Sequence, residues 1–129
     1  MQFLCLMYCE ARYFEEASPQ ELSAFQEACA ESDRSLTRSG HLLSALPLES
    51  ARSATTVRTK NGVARYTDGP FAETKEQLCG FVLIEARDRE EAKSIAASQP
   101  FARVGSVEIR PVMNLGGAGE SPAASPSRT

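Results

Sequence analysis

Two segments of this chain, QFLCLMYC at residues 2–9 and GFVLIEA at residues 80–86, carry apolar side chains at both odd and even positions. Successive side chains of a β-strand point to opposite faces of the sheet, so this pattern is typical of strands buried on both faces. A sheet that contains both segments needs a covering layer on each of its two sides. Any fold predicted for the chain must supply both layers.

A well-marked helix supplies part of that cover. Ser18 and Glu21 are spaced as a capping box, and Pro19 lies at the first helical position. Apolar residues then recur at helical spacing, and Gly40 is a typical stop because glycine accepts positive φ just past the last turn. The pattern predicts a helix over residues 19–39.

The rest of the chain predicts a second helix and several shorter strands. Asp88 is placed as an N-cap three residues before Glu91, and Pro100 marks the end of that helix. Asn61-Gly62 lies between two β-branched runs, which indicates a hairpin with a type I′ turn. Strands are predicted at residues 41–46, 55–59, 63–67 and 104–113, a loop at 10–17, and a loop or short helical turn at 71–78.

The order of these elements predicts a fold and an assembly. Removing the hairpin as an insertion leaves βαββαβ, the ferredoxin-like α+β arrangement. Its two helices cover one face of the sheet, so a second copy packing sheet against sheet is the economical cover for the other face. The alternative is that the hairpin folds back over the sheet. We expect a homodimer.

Composition and net charge indicate the extent of the domain, its partners and its cellular location. The chain has 129 residues and a net charge of −3, with no cluster of basic residues, which argues against direct nucleic-acid binding. We expect one domain over residues 1–113 and a disordered tail over 114–129, which is rich in Gly, Ala, Ser and Pro. The chain has neither a signal-peptide pattern nor a membrane-spanning apolar run, so we expect a cytoplasmic location without a membrane partner.

The cysteines and the single histidine predict no metal site. All four cysteines lie in apolar segments, where a free thiol behaves as a small hydrophobe, so we also expect no disulfide. The sequence lacks a phosphate loop, a dinucleotide fingerprint and a serine-hydrolase elbow, so we expect no cofactor.

The nine residues DGPFAETKE, at positions 68–76, have an unusual composition. There the chain resembles the DGPF group of the YCII-related family, and the resemblance covers about residues 1–113. It continues through Gly40, residues 54–58, Gly80-Phe81, Glu85-Ala86 and residues 105–111.

The resemblance implies a ferredoxin-like fold paired as a dimeric α/β barrel, but it implies no activity, since most members are uncharacterised. A distant branch includes a dehydrochlorinase that acts on a chlorinated aromatic diol. Members of the YCII branch resemble enzymes with a His–Asp pair whose histidine lies on the first helix. The first helix of this chain has no histidine, so that pair is not carried over. Members of the DGPF group are often encoded beside, or fused to, sigma factors.

Two residues are candidate catalytic groups. Asp68 follows a hairpin strand and precedes Gly69-Pro70, so its carboxylate is either a turn residue or a general base and ligand anchor at a cavity mouth. For His41 the alternatives are acid–base catalysis or helix capping and packing.

Three further residues are candidate ligand-binding groups. Glu73 and Lys75 belong to a charged cluster that forms either a solvated face or the rim of a pocket. Arg110 shares a strand face with Glu108, so it either binds a ligand or forms a structural ion pair.

Two functions are compatible with these observations, and the sequence leaves open whether the chain is an enzyme. The first is a small-molecule protein that binds or transforms a ligand in a cavity near Asp68. The second is a non-catalytic interaction module in a sigma-factor-linked transcription or signalling pathway.

Overall fold

The computed structural model describes residues 1–115, so the tail predicted to be disordered lies, from residue 116 onward, outside the described residues. The elements follow in chain order as β1 (Gln2–Glu10), α1 (Ala11–Glu16), α2 (Pro19–Arg38), β2 (Leu42–Pro47), a 3-10 turn (Ala51–Ser53), β3 (Thr55–Lys60), β4 (Val63–Asp68), β5 (Glu76–Glu85), α3 (Arg89–Ala97), α4 (Phe101–Val104) and β6 (Ser106–Pro111). None of the helices among these residues is both long and apolar enough to cross a bilayer.

Four strands form the main sheet in the order β2-β5-β1-β6, and every neighbouring pair is antiparallel. β3 and β4 pair with each other as a separate two-stranded hairpin. The chain is therefore a mixed α+β protein with antiparallel sheets, as predicted. The strand order is compatible with the ferredoxin-like arrangement, with the hairpin inserted between β2 and β5.

The strongest local signals formed as predicted. Glu21 N donates to Ser18 Oγ at 3.1 Å and Ser18 N donates to Glu21 Oε1 at 2.7 Å, which completes the capping box of α2. In the hairpin turn, Asn61 and Gly62 have φ values of 53° and 76°, as a type I′ turn requires.

Aromatic packing explains two helices that the sequence analysis missed. Residues 10–17 were predicted to be a loop, but residues 11–16 form α1. No element was predicted for residues 101–103, which belong to α4, and α4 overlaps the predicted last strand only at Val104. The Phe14 ring lies 5.8 Å from Phe25 and 6.2 Å from Phe101, centroid to centroid, both edge-on. Contacts between distant residues therefore stabilise short helices that local sequence does not indicate. β5 also begins at Glu76, four residues before the predicted start at residue 80.

The two faces of the main sheet are buried unequally. On β1, Phe3, Cys5 and Met7 point toward the helices and are at most 3% exposed. Leu4 and Leu6 point to the opposite face, here called the open face, and are half-buried. Nearly every residue of the hairpin is exposed, so the hairpin does not cover the open face.

Candidate functional site

A cavity of about 1110 Å³ lies between α1, α2, the β2–β5 side of the sheet and the segment 48–53. It exists because α2 buries only Phe25 and Leu36 among its residues. Between those two anchors, α2 faces the cavity with Cys29, Ala30 and Asp33, which are too small or too polar to fill the space. The volume lies at the upper end of typical small-molecule sites, about 300–1,000 Å³.

The lining is mostly apolar and partly aromatic. The rings of Phe25 and Phe101 meet edge-on at 5.0 Å between centroids and form one wall together with Phe14. Met7 and Val82 contribute from the sheet. Such a wall favours a flat apolar ligand, because aromatic pairs gain energy from edge-to-face and offset stacking as well as from burial.

Two polar side chains of the lining are well placed to orient a ligand. Burial raises the pKa of the half-buried Asp33 carboxyl above its ordinary value, so it exchanges a proton closer to neutral pH than an exposed aspartate does. Gln99 is 2% exposed, and its Nε2 donates a long, 3.5 Å bond to the Ile95 carbonyl oxygen.

An ion pair crosses the mouth of the cavity. Arg52, in the 3-10 turn, donates from Nη2 to Glu15 Oε2 of α1 at 2.9 Å, and both residues line the cavity. Both side chains are exposed, at 81% and 51%, so this pair contributes little to stability.

Three thiols also reach the cavity. Cys9, Cys29 and Cys79 all line it, and all four cysteines of the chain are free thiols. Cys9 and Cys79 lie on neighbouring strands with their Sγ atoms 3.4 Å apart. Within residues 1–115, no cluster of three or more His, Cys, Asp or Glu side chains could hold a metal ion.

The predicted catalytic residues lie outside this lining. Asp68 is the exposed last residue of β4, paired with Thr55, and Gly69 follows it with φ 103°. His41 lies at the junction of α2 and β2, with Nδ1 2.7 Å from Ser39 Oγ and Nε2 3.3 Å from Glu91 Oε2. The structure does not bring Asp68 and His41 together in the cavity.

The predicted ligand-binding residues also lie elsewhere. Glu73 is exposed in the connection before β5. Lys75 is exposed, with Nζ 3.7 Å from Glu10 Oε2. Arg110 Nε donates to Glu108 Oε2 at 3.0 Å, and Tyr8 donates its hydroxyl to Glu108 Oε1 at 3.2 Å. All three residues lie on the surface and outside the cavity lining, and their binding roles stay predictions.

Asp33 and the Cys9–Cys79 pair are the residues that the sequence analysis missed. Asp33 had a visible signal, because it falls on the inner stripe of α2, four residues after Cys29 and three before Leu36. A carboxylate on an apolar stripe is unusual. The thiol pair had no such signal, because it depends on the register between two distant strands.

The Glu91 carboxylate gives a prediction on pH dependence. A 2.7 Å bond from Arg87 N, helped by His41 and the Arg87 guanidinium, lowers the pKa of Glu91. Its contribution to stability is therefore present above its ordinary, unfolded-state pKa and is lost as pH falls through the lowered, folded-state pKa. Glu91→Gln should reduce the unfolding free energy at neutral pH, and its difference from wild type should shrink in acid.

Chemical denaturation across a pH series measures this difference. Glu90→Gln is the matched control, because it removes an exposed carboxylate one position away, paired only with Lys93 among the described residues. A Glu91→Gln loss that stays constant from neutral to acidic pH would show that side-chain packing, not charge, causes it.

Comparison with known proteins gives two matches. The profile of the YCII-related domain matches residues 1–116. An uncharacterized protein of Rhizobium meliloti (strain 1021) is 37% identical over 100 residues, which cover 76% of this chain and 75% of the relative. Neither match specifies a ligand or a reaction, so the cavity is the guide to the chemistry.

Proposed function

The chain belongs to the YCII-related family, and on that premise we propose that it is a homodimer in which each subunit binds a small aromatic molecule in its own cavity. The observation that carries the proposal is the cavity of about 1110 Å³ with an aromatic wall and a half-buried carboxyl group. A solvent-accessible cavity with a mostly apolar lining leaves apolar side chains in contact with water, and surfaces of this kind commonly mark ligand-binding grooves.

The open face of the sheet supports the proposed dimer. Leu4 pairs with Leu83 and Leu6 with Phe81 across β1 and β5, so four apolar side chains lie together on that face. Leu4, Leu6 and Phe81 are half-buried there, whereas Leu83 is 8% exposed. In the proposed assembly a second copy packs its open face on this surface, which gives the dimeric α/β barrel. The cavity lining comes mainly from the helices and from helix-side residues of the sheet such as Met7 and Val82, although Phe81 also contributes, so in the proposed dimer each cavity lies mostly outside the interface.

The lining narrows the ligand class. The rings of Phe14, Phe25 and Phe101 suit an aromatic or alicyclic ring. Asp33 and Gln99 suit hydroxyl or amine groups, since a carboxylate accepts hydrogen bonds and an amide both donates and accepts. We propose a small phenol or aromatic amine as the ligand class. The raised pKa of Asp33 also suits a proton-transfer role if the bound molecule is transformed.

A thermal-shift screen with small phenols, aromatic amines and aromatic acids, followed by calorimetry on the best compound, tests the proposal. Asp33→Asn should weaken binding by about 1.5–3 kcal/mol, the usual contribution of a charged hydrogen bond. Ala30→Trp should abolish binding, because the indole would fill the space beside Cys29.

Asp68→Asn is the matched control, since it makes the same chemical change on the exposed hairpin. A loss of affinity in Asp68→Asn, and not in Asp33→Asn, would support the predicted site at Asp68 instead. Failure of every compound to raise the melting temperature, or equal affinity for Ala30→Trp, would contradict ligand binding in the cavity.

The hairpin favours a second function. Arg58 of β3 pairs directly with Arg65 of β4, and Lys60 lies on the same hairpin face. Neither arginine forms an ion pair with any residue of the described chain. Opposed like charges destabilise a strand pair, and an acidic partner would relieve them. The alternative function is therefore an interaction module in a sigma-factor-linked pathway. In that case the Ala30→Trp substitution would leave binding of the partner unchanged.

A further inference from the structure

A bulge in β5 places one cysteine against another. Met7 pairs with Gly80 and Tyr8 pairs with Leu78, so Cys79 between them has no partner residue on β1. A bulge redirects the side chain of its extra residue. Here it brings Cys79 Sγ to 3.4 Å from Cys9 Sγ.

The two thiols differ in access. Cys9 is 0% exposed, whereas Cys79 is half-buried, and both belong to the cavity lining. Cys79 is held in place by two further bonds: its thiol donates to the Gln77 carbonyl oxygen at 3.3 Å, and its own carbonyl accepts from Leu48 N at 2.9 Å. A reagent that enters the cavity therefore meets Cys79 first, with Cys9 directly behind it.

We propose that Cys9 and Cys79 are a redox-active dithiol, which a low-molecular-weight disulfide entering the cavity converts into an intramolecular disulfide. The Cys79 thiolate attacks one sulfur of the incoming disulfide, whose S–S bond breaks and releases one thiolate. The Cys9 thiolate then attacks the Cys79 sulfur of the mixed disulfide and expels the second thiolate. The protein thiols lose two electrons and two protons, and the reagent is reduced to two thiols.

The geometry needs little rearrangement. Bond formation shortens the sulfur separation from 3.4 Å to about 2.05 Å, a change that small side-chain rotations can supply. Each strand keeps its neighbours, because the two cysteines already lie on adjacent strands of one sheet.

The second step has a distinctive pH dependence. Burial, followed by the hydrogen bond with Cys79, raises the pKa of Cys9 to about 12. In the mixed disulfide Cys9 keeps its burial but loses the hydrogen bond with Cys79, so its pKa stays raised by burial. The thiolate is the nucleophile, so closure should keep accelerating with pH above the pKa of an ordinary exposed thiol. An exposed thiol of ordinary pKa would level off near its own pKa instead.

The test incubates the reduced full chain with oxidised glutathione at several pH values, followed by acid quenching, alkylation, intact mass and peptide mapping. Wild type should lose two of its four thiols and retain no glutathione. Cys9→Ser, with Cys9→Ala as a second variant if serine destabilises the fold, should keep one glutathionyl group on Cys79. Cys29→Ser, which changes another cavity thiol, should close like wild type.

Three results would overturn the proposal. The first is a bridge that includes Cys29 or joins two chains. The second is a stable glutathione adduct on wild type at every pH. The third is wild type retaining all four thiols under conditions in which a small free thiol exchanges completely.

Discussion

Gly105→Ala is expected to lower the free energy of unfolding by about 3 kcal/mol, the upper end of the usual cost of overpacking. A methyl group on Gly105 would overlap the Tyr8 carbonyl oxygen and would lie 2.8 Å from Cys9 Cβ and 2.9 Å from Cys9 Cα. Most of these atoms belong to the backbone of β1, which cannot rotate away. The φ of Gly105 is −162°, which any residue adopts, so the cost is steric.

Gly40→Ala separates this steric cost from backbone strain. Gly40 has φ +81° and open space where the new methyl group would lie, so its substitution should cost only the left-handed penalty of about 1–2 kcal/mol. Urea denaturation of both variants measures the two losses. If Gly105→Ala lowered the free energy of unfolding no more than Gly40→Ala does, β1 and β6 would have to separate easily at this point.

The elements that could be predicted are those whose signals are local. The capping box at Ser18 marks the start of α2, and Asn61-Gly62 marks the hairpin turn. Both signals are local, because the hydrogen bonds of the cap and the φ values of the turn depend on residues close together in sequence. Helix α1 could not be predicted. It depends on the Phe14 ring packing against Phe101, from the far end of the chain.

The candidate site was harder to predict than the fold. Sequence analysis selected Asp68 and its charged neighbours because their composition is unusual, whereas the cavity arises from small residues on α2 that leave space unfilled. Asp33 lies within the charged run Glu31–Arg34, so it has the local pattern of a solvated residue. Only its position on the inner stripe of α2 indicates that it faces the cavity. The Cys9–Cys79 contact requires the exact position of a bulge, which no local pattern indicates.

The largest expected effect on assembly is that of Leu6→Asp. Leu6 lies on the open face between Phe81 of β5 and Glu108 of β6. In the proposed dimer the new carboxylate would be buried opposite the Glu108 carboxylate, and the neighbouring cation, Arg110, is already bonded to Glu108. A buried charge left without its own partner costs about 3–5 kcal/mol, and two-fold symmetry introduces it twice. Two such charges at about 3 kcal/mol each should raise the dissociation constant about 10⁴-fold, since each 1.4 kcal/mol is tenfold.

Analytical ultracentrifugation should find wild type at twice 14.0 kDa and Leu6→Asp at 14.0 kDa at the same micromolar concentration. Ala24→Asp adds the same charge to the exposed side of α2, away from the open face, and should stay dimeric. Leu6 is only half-buried within one chain, so the variant monomer should keep its circular dichroism spectrum. A monomeric wild type would contradict the proposed dimer. A dimeric Leu6→Asp variant would show that the interface lies elsewhere than on the sheet, because no sheet-to-sheet contact could accommodate two unpaired carboxylates at its centre.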